Sequence, residues 1–545
     1  MRNHRVLFAV LLACGVLLSG MTFALAATSA LPAHSYIHVQ LGPSETQAES
    51  GRLLLFAIDA KDAEAEAAKH GGKVDAVDAN PFRGSQNAVA AREVSRIVPG
   101  EVIDIDTDRR AFPQGWSKLP PGDYYVQAVL DVHHDYNYSG RDAGDLVSPV
   151  VKLHLPAAGT PTLSLDKTLP RRDPWVLPPR APKALQAYLA DARAQSRDID
   201  FVSPALSAFW GRPIHMRARV LLPPGYVANA KTTWPTVYFT QGFGGNNDRV
   251  IGELVSVYAA MKQRKMPPMI WVFLDESSPT GTTEFADSVN NGPWGTALTT
   301  ELIPYLEHHY RMDADVDGRF LTGHSSGGWA TLWLQVRYPK IFGGTWSTSP
   351  DPSDFHDFTG VDLYAPRANV YHRPDGTPYP LVRDHGKVLA TFEQFAKLER
   401  VLGPYGGQMA SFEWVFSPKG KGGRPEPMFN RDTGDVDPAV VAYWREHYDI
   451  AYRLQHDWPE LKPDLDGKIH IWVGTADTFY LDGAVHKLKA VLDGLHAKSD
   501  IHFVPGRTHF DIYRIGKDPQ GLTKQIAWEM YAVARPHSKL KAAGE

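Results

Sequence analysis

Between residues 34 and 156 the apolar positions fall in short runs, not at helical spacing. Residues 36–41, 52–58, 102–105, 124–132 and 150–155 are apolar or β-branched stretches bounded by Gly, Pro and Asp, which predicts short strands. Pro120, Pro121 and Gly122 form a turn that feeds Tyr124 and Tyr125 into one of them. The whole of 34–156 reads as a smaller β-sandwich-like domain. The long, charged, alanine-rich stretch 60–91 is expected to protrude from it. Residues 157–195 are rich in proline (Pro161, Pro170, Pro174, Pro178, Pro182), which fixes φ and removes a backbone donor, so they read as a linker.

The pattern changes from residue 196 onward. Residues 214–222 alternate apolar and polar side chains as an edge strand does, and 236–240 and 269–274 are unbroken apolar runs suited to buried strands. Leu298, Leu302, Ile303 and Leu306 recur at helical spacing. Further strands are expected at 319–322, 469–473 and 501–504, with a helix at 483–496. Strands alternating with helices predict an α/β domain over 196–535 with a mainly parallel sheet covered on both faces.

At the amino terminus, Arg2, His4 and Arg5 precede an apolar run over 6–18, and Ala24 and Ala26 form an A-x-A cleavage signal. Residues 1–26 therefore read as a signal peptide, with the mature protein exported to the periplasm or beyond the cell and without a membrane span. The alternatives are a retained anchor or a lipid tether at Cys14, which follows Leu11, Leu12 and Ala13. Cys14 is the one cysteine in the chain, so cleavage leaves no thiol for a disulfide, a nucleophile or a metal. A formal charge of -4 over 545 residues argues against a nucleic-acid partner.

Candidate chemistry centres on Gly323, His324, Ser325, Ser326 and Gly327, a G-x-S-x-G sequence between an expected strand and an expected helix over 328–338. A serine on so sharp a turn is an exposed nucleophile, and small neighbours relieve the crowding. Serine needs a histidine base and a carboxylate to orient it, following in the order acid, then histidine. Asp477, just past the run at 469–473, is the candidate acid. His509, in the loop after 501–504, is the candidate base. His470 and His502 lie inside strand runs, and Asp511 follows His509 too closely to orient it. Oxyanion donors are expected from the backbone N–H of Ser326 and from Gly242 or Phe243, in the glycine-rich loop after 236–240.

Taken together, LPPGY at 222–226, QGFGG at 241–245, ELIPYLE at 301–307, GHSSGG at 323–328, YPKIFGG at 338–344 and GTAD at 474–477 resemble the putative-esterase family of α/β-hydrolases. That group includes esterase D, feruloyl-esterase-like and enterochelin-esterase-like enzymes. The resemblance implies an α/β-hydrolase fold and a serine esterase acting without cofactor or metal on a small-molecule ester. Two departures stand out. Gln241 occupies a position where many members carry histidine, and Ser325 is unusually far from Asp477. The excess lies in 350–465, with expected helices near 388–402 and 437–456, and reads either as a cap over the site or as a peripheral elaboration.

Asp313, Asp315 and Asp317 open like an EF-hand loop, but its twelfth position is His324, so a solvated turn is the better reading. The adjacent pairs His133–His134 and His308–His309 lack zinc-ligand spacing. The expectation is a secreted serine carboxylic-ester hydrolase acting on a small or aromatic acyl ester, such as an acylated sugar, a feruloyl ester or a siderophore ester. The alternatives are a serine peptidase with the same triad and a non-catalytic carbohydrate- or partner-binding protein.

Overall fold

The computed structural model describes residues 34–69, 71–178 and 181–543. The expected leader, with Cys14 and the cleavage site after Ala26, lies outside the described residues. Among them, no helix is long and apolar enough to cross a membrane.

The amino-terminal part forms two packed sheets. Tyr36–Leu41 pairs antiparallel with Val102–Asp106 and parallel with Thr162–Leu165. The second sheet is built around Glu49–Asp59, flanked antiparallel by Asn87–Ile97 and Gly122–Asp131. Ile37, Val39 and Leu41 meet Leu53, Leu55, Val126 and Ala128 between the sheets. The opposite face of the larger sheet is also covered. Leu54, Phe56, Val89 and Val129 pack on Leu398, Val401 and Leu402 of the helix Phe392–Leu402. Burial on both faces is why residues 53–57 are apolar without alternation.

Two expectations change here. The stretch 60–91 does not simply protrude: Ala60–Ala68 is a helix capped by Asp59, with Ala60 and Ala63 buried, and from residue 87 the chain is an interior strand. Alanines such as Ala88 and Ala90 fit the crowded space between sheets, where larger residues would not. The sandwich also runs past the proline-rich boundary expected at 157. Pro161 and Pro170 flank Thr162–Leu165 instead of preventing it, as prolines at strand ends can.

The α/β part is an eight-stranded sheet: β1 (Ser196–Val202), β2 (His215–Leu221), β3 (Thr236–Thr240), β4 (Ile270–Leu274), β5 (Arg319–His324), β6 (Gly344–Thr348), β7 (Ile469–Gly474) and β8 (Ser499–Val504). Their order across the sheet is β1-β2-β4-β3-β5-β6-β7-β8. β1 and β2 are antiparallel to their neighbours, and the remaining pairs are parallel. Alternate residues serve opposite layers. Val237, Phe239, Trp271 and Phe273 join the helices Ile251–Lys262 and Gly521–Ala534. Tyr238, Ile270 and Val272 join Leu298, Leu302 and Leu334 on the other face. This is the α/β-hydrolase arrangement expected from the sequence.

Residues 350–465 add the hairpin Pro380–Asp384 and Lys387–Thr391 and four helices, Phe392–Leu402, Gln408–Phe416, Pro438–Tyr448 and Ile450–Leu465. Phe355, Phe416 and Trp444 form their aromatic centre, joined to Trp329 of the helix that follows β5. The single helix expected near 437–456 is two, separated at Asp449. Its buried carboxylate accepts the N–H of Tyr452 at 2.9 Å and of Phe355 at 2.9 Å.

Candidate active site

β5 ends at His324 and the helix Ser326–Arg337 begins two residues later, leaving Ser325 alone on the turn. Its φ of 59° and ψ of -125° lie where L-residues are strained, at a cost of roughly 1–3 kcal/mol. Backbone hydrogen bonds hold it there: Ser325 N–H donates to Thr348 O (3.0 Å), and Ser325 O accepts from the N–H groups of Trp329 (3.0 Å) and Asp351 (3.1 Å). The flanking glycines are required by proximity. A Cβ on Gly323 would overlap Gly327 O, and one on Gly327 would overlap the carbonyls of Thr240 and Gln241.

Asp477 follows β7 and His509 follows β8. His509 Nδ1 and Asp477 Oδ2 are 2.9 Å apart, with both side chains buried. Asp477 Oδ1 accepts the N–H groups of Phe479 (2.9 Å) and Leu481 (3.3 Å). Burial alone would raise the Asp477 pKa, but the His509 ring and these donors outweigh it and hold the carboxyl below its ordinary value. Asp511 acts locally. It accepts the N–H of Thr508 at 2.7 Å and pairs with Arg507, which fixes the loop carrying His509.

The Ser325 hydroxyl faces another partner. Its Oγ donates to Asp351 Oδ1 at 3.5 Å, while Ser326 Oγ donates to Asp351 Oδ2 at 2.6 Å. No hydrogen bond joins Ser325 Oγ to His509 among the described residues. Sequence reasoning passed over Asp351; its place three residues beyond the end of β6 was the available signal. Burial, opposed by the Ser326 hydroxyl, raises its pKa to about 6. Two more buried carboxyls lie nearby, Glu276 and Glu284, whose oxygens have no hydrogen-bond partner among the described residues. Burial, reinforced by the neighbouring carboxyls, pushes both pKa values well above the ordinary carboxyl range.

The His324 ring lies 4.3 Å from that of His509, tilted by 39°. Burial first, then repulsion from His509, lowers its pKa to about 3, so it forms a neutral wall. Across the site, Gly242 presses on the nucleophile so closely that a Cβ there would sit 2.8 Å from Ser325 Cβ. Phe243 follows it, and a bond from Gly245 N–H to Gly242 O (2.9 Å) closes the turn. The N–H of Ser326 opens its helix and has no intrahelical acceptor. All six residues singled out in the sequence, Ser325, Asp477, His509, Ser326, Gly242 and Phe243, thus come to one end of the sheet. The segment 350–465 reaches the same place through Arg383, whose Nε donates to Asp477 O at 2.7 Å. Among the described residues, no group of three or more His, Cys, Asp or Glu could hold a metal ion.

The chain is 28% identical to Esterase Rv1288 of Mycobacterium tuberculosis over 141 residues, 26% of this chain and 30% of that protein. It is 25% identical to an uncharacterized protein of Bacillus subtilis, YbbA, over 144 residues, 24% of this chain and 56% of that one. The matches therefore span less than two thirds of these relatives' own lengths. Among solved structures, it is similar to a ferulic acid esterase (15% identity, TM-score 0.36, covering 62% of this chain and 99% of that one). It is also similar to an S-formylglutathione hydrolase from Agrobacterium tumefaciens (13%, TM-score 0.37, 64% and 95%). The family model described as Putative esterase matches residues 212–509, more than half of the chain. On that match, the chain belongs to the putative-esterase family.

Proposed function

We propose that this protein is an exported serine carboxylic-ester hydrolase that works through an acyl-enzyme at Ser325. The observation that carries the reading is the buried His509–Asp477 pair, at 2.9 Å, beside a serine held at positive φ on the turn after β5. Asp477 accepts a hydrogen bond from Nδ1–H, which keeps the proton on Nδ1 and leaves Nε2 of His509 free to act as base. Ser325 Oγ turns from Asp351 toward His509, loses its proton to Nε2 and attacks the ester carbonyl. The oxyanion that forms is met by the N–H of Ser326 and that of Gly242 or Phe243. His509 returns the proton to the leaving alcohol, and water then attacks the acyl-enzyme by the same relay. One ester and one water give one acid and one alcohol.

The preferred substrate in this reading has a small or aromatic acyl group, because a long-chain lipase needs a broad apolar channel. The residues of 350–465 near the site mix aromatic and charged groups, including Arg383, which pairs with Asp482 at 2.8 Å. The test is Ser325→Ala assayed against acetyl, butyryl, feruloyl and palmitoyl esters beside a peptide panel. Ester hydrolysis should fall by several powers of ten with thermal stability retained. Near-wild-type hydrolysis, or a preference for peptides or for the palmitoyl ester, refutes the reading. Secretion of a chain shortened by residues 1–26, measured by mass, tests export separately.

A further inference from the structure

The triad leaves one conspicuous feature of the site without a role. Phe510, next to His509, is 66% exposed, and Phe82, far away in sequence, is 40% exposed. Their rings are 6.1 Å apart, and both pack on Phe479, at 5.9 Å and 5.4 Å. Phe479 and Phe510 in turn stand nearly perpendicular to the His509 ring, at 4.8 Å and 5.4 Å. Two exposed rings, Phe82 and Phe510, grouped on the partly buried Phe479 beside His509, form an apolar surface that water solvates poorly.

Phe82 belongs to the sandwich domain and is fixed there by bonds of two kinds. Asn80 Oδ1 accepts its N–H at 3.1 Å. The preceding residues are tied down by Tyr136, which donates to Asp78 at 2.9 Å, and by Arg141, which donates to Asp78 at 2.6 Å. On the far side, Gly84 (φ +55°) lies against the 350–465 segment, and a Cβ there would come 2.9 Å from Gln394 Oε1. The segment that secures Phe82 also reaches the oxyanion loop. Tyr138 sets its ring edge-on to Phe243 at 5.3 Å and donates to Gly245 O. Asn137 Nδ2 donates to the carbonyls of Glu399, Gly403 and Tyr405 at 3.0–3.3 Å. The backbone that carries Phe82 is thus held on both sides of it, and its ring rests on Phe479 and Phe510.

We infer that Phe82, Phe479 and Phe510 form the leaving-group subsite, which takes an ester whose alcohol half is an aryl ring, and that Phe82 of the sandwich domain determines this specificity. The inference rests on the esterase reading above. His509 protonates the departing oxygen, so the group on that oxygen lies on the His509 side of Ser325, where these rings are. An aryl ring there meets Phe side chains at the roughly 4.5–7 Å separations that aromatic pairs favour.

The experiment compares phenyl acetate with ethyl acetate, which share an acyl group, using the full chain. In Phe82→Ala, kcat/KM for phenyl acetate should fall roughly five- to tenfold, the value of one aromatic pair. For ethyl acetate it should stay within about twofold, because no ring contact is lost. Phe82→Leu keeps bulk and apolarity, should show a smaller fall, and serves as the test if the alanine variant fails to fold. An equal fall for both esters, or an unchanged ratio between them, overturns the subsite. Hydrolysis of neither ester, or hydrolysis that persists in Ser325→Ala, overturns the esterase reading itself. Ser325-dependent hydrolysis with an unchanged ratio overturns the subsite alone.

Discussion

Replacing Asp477 by asparagine changes one atom and tests the relay at its base. The wild-type carboxylate directs Oδ2 to His509 Nδ1 at 2.9 Å and Oδ1 to the N–H groups of Phe479 and Leu481. Asparagine can keep the two backbone donors only with its oxygen in the Oδ1 place, which turns its NH2 toward His509. Two donors cannot share a hydrogen bond, so Nδ1 must become an acceptor and the proton moves to Nε2. In that tautomer the ring cannot accept a proton from Ser325, and kcat should drop by about 10⁴-fold. The fold should weaken by about 1 kcal/mol, the difference between a charged hydrogen bond and the neutral one that replaces it. The sign with pH follows from the depressed Asp477 pKa. Its stabilisation is full above the unfolded carboxyl value, near pH 4, and is lost as pH falls through the lower folded value. The gap between wild type and variant in urea midpoint should therefore be open at pH 7 and close in acid. The assays are aryl-acetate turnover and urea unfolding across that range. A variant within tenfold of wild-type kcat, folded at pH 7, would show that Asp477 does not orient the base.

Three further outcomes are expected. Gly242→Ala places a methyl 2.8 Å from Ser325 Cβ and 3.1 Å from His324 O, so the loop must retreat. Steady-state kinetics should then show kcat lower by about 10²–10³-fold with circular dichroism unchanged, whereas wild-type turnover would move the oxyanion donors elsewhere. For Asp351, the folded value of about 6 lies above the ordinary 3.8, so the folded chain binds the extra proton and stability falls as pH rises between them. Asp351→Asn should remove that slope, about 1.4 kcal/mol for each pH step of one, in urea midpoints taken from pH 4 to 7; an unaltered slope assigns it to other carboxyls. Trp444→Ala empties the centre of the 350–465 segment and strands the Ser417 hydroxyl it bonds at 2.9 Å. Chemical denaturation should register a loss of about 3–5 kcal/mol, and a loss under about 1 kcal/mol would mean that this segment adds little to the global fold.

What could be read in the sequence was what short stretches encode. The G-x-S-x-G turn declares itself because the strand before it, the helix after it and both close-approach glycines lie within twenty residues. Asp477 and His509 were legible because a parallel sheet brings the ends of β7 and β8 together, and chain order selects among the histidines. Side chains whose role comes from distant packing gave no comparable signal. Glu276 and Glu284 look like solvated acids in a polar stretch. They are buried because residues 276–291 are overlaid by the 350–465 segment, through bonds such as Ser288 Oγ to Trp414 O (3.0 Å) and Asn290 Nδ2 to Ser417 O (2.7 Å). Asp351 reads as a turn residue between Pro350 and Pro352, and only the fold sets its carboxylate on Ser325 and Ser326. Phe82 was the least legible. It sits in a stretch whose charge and alanine content point to solvent, and its ring partners are Phe479 and Phe510, some four hundred residues later. Local pattern therefore identified the groups proposed to act on the ester bond, while the groups that set charge and shape around them depend on which distant segments the fold brings against β5.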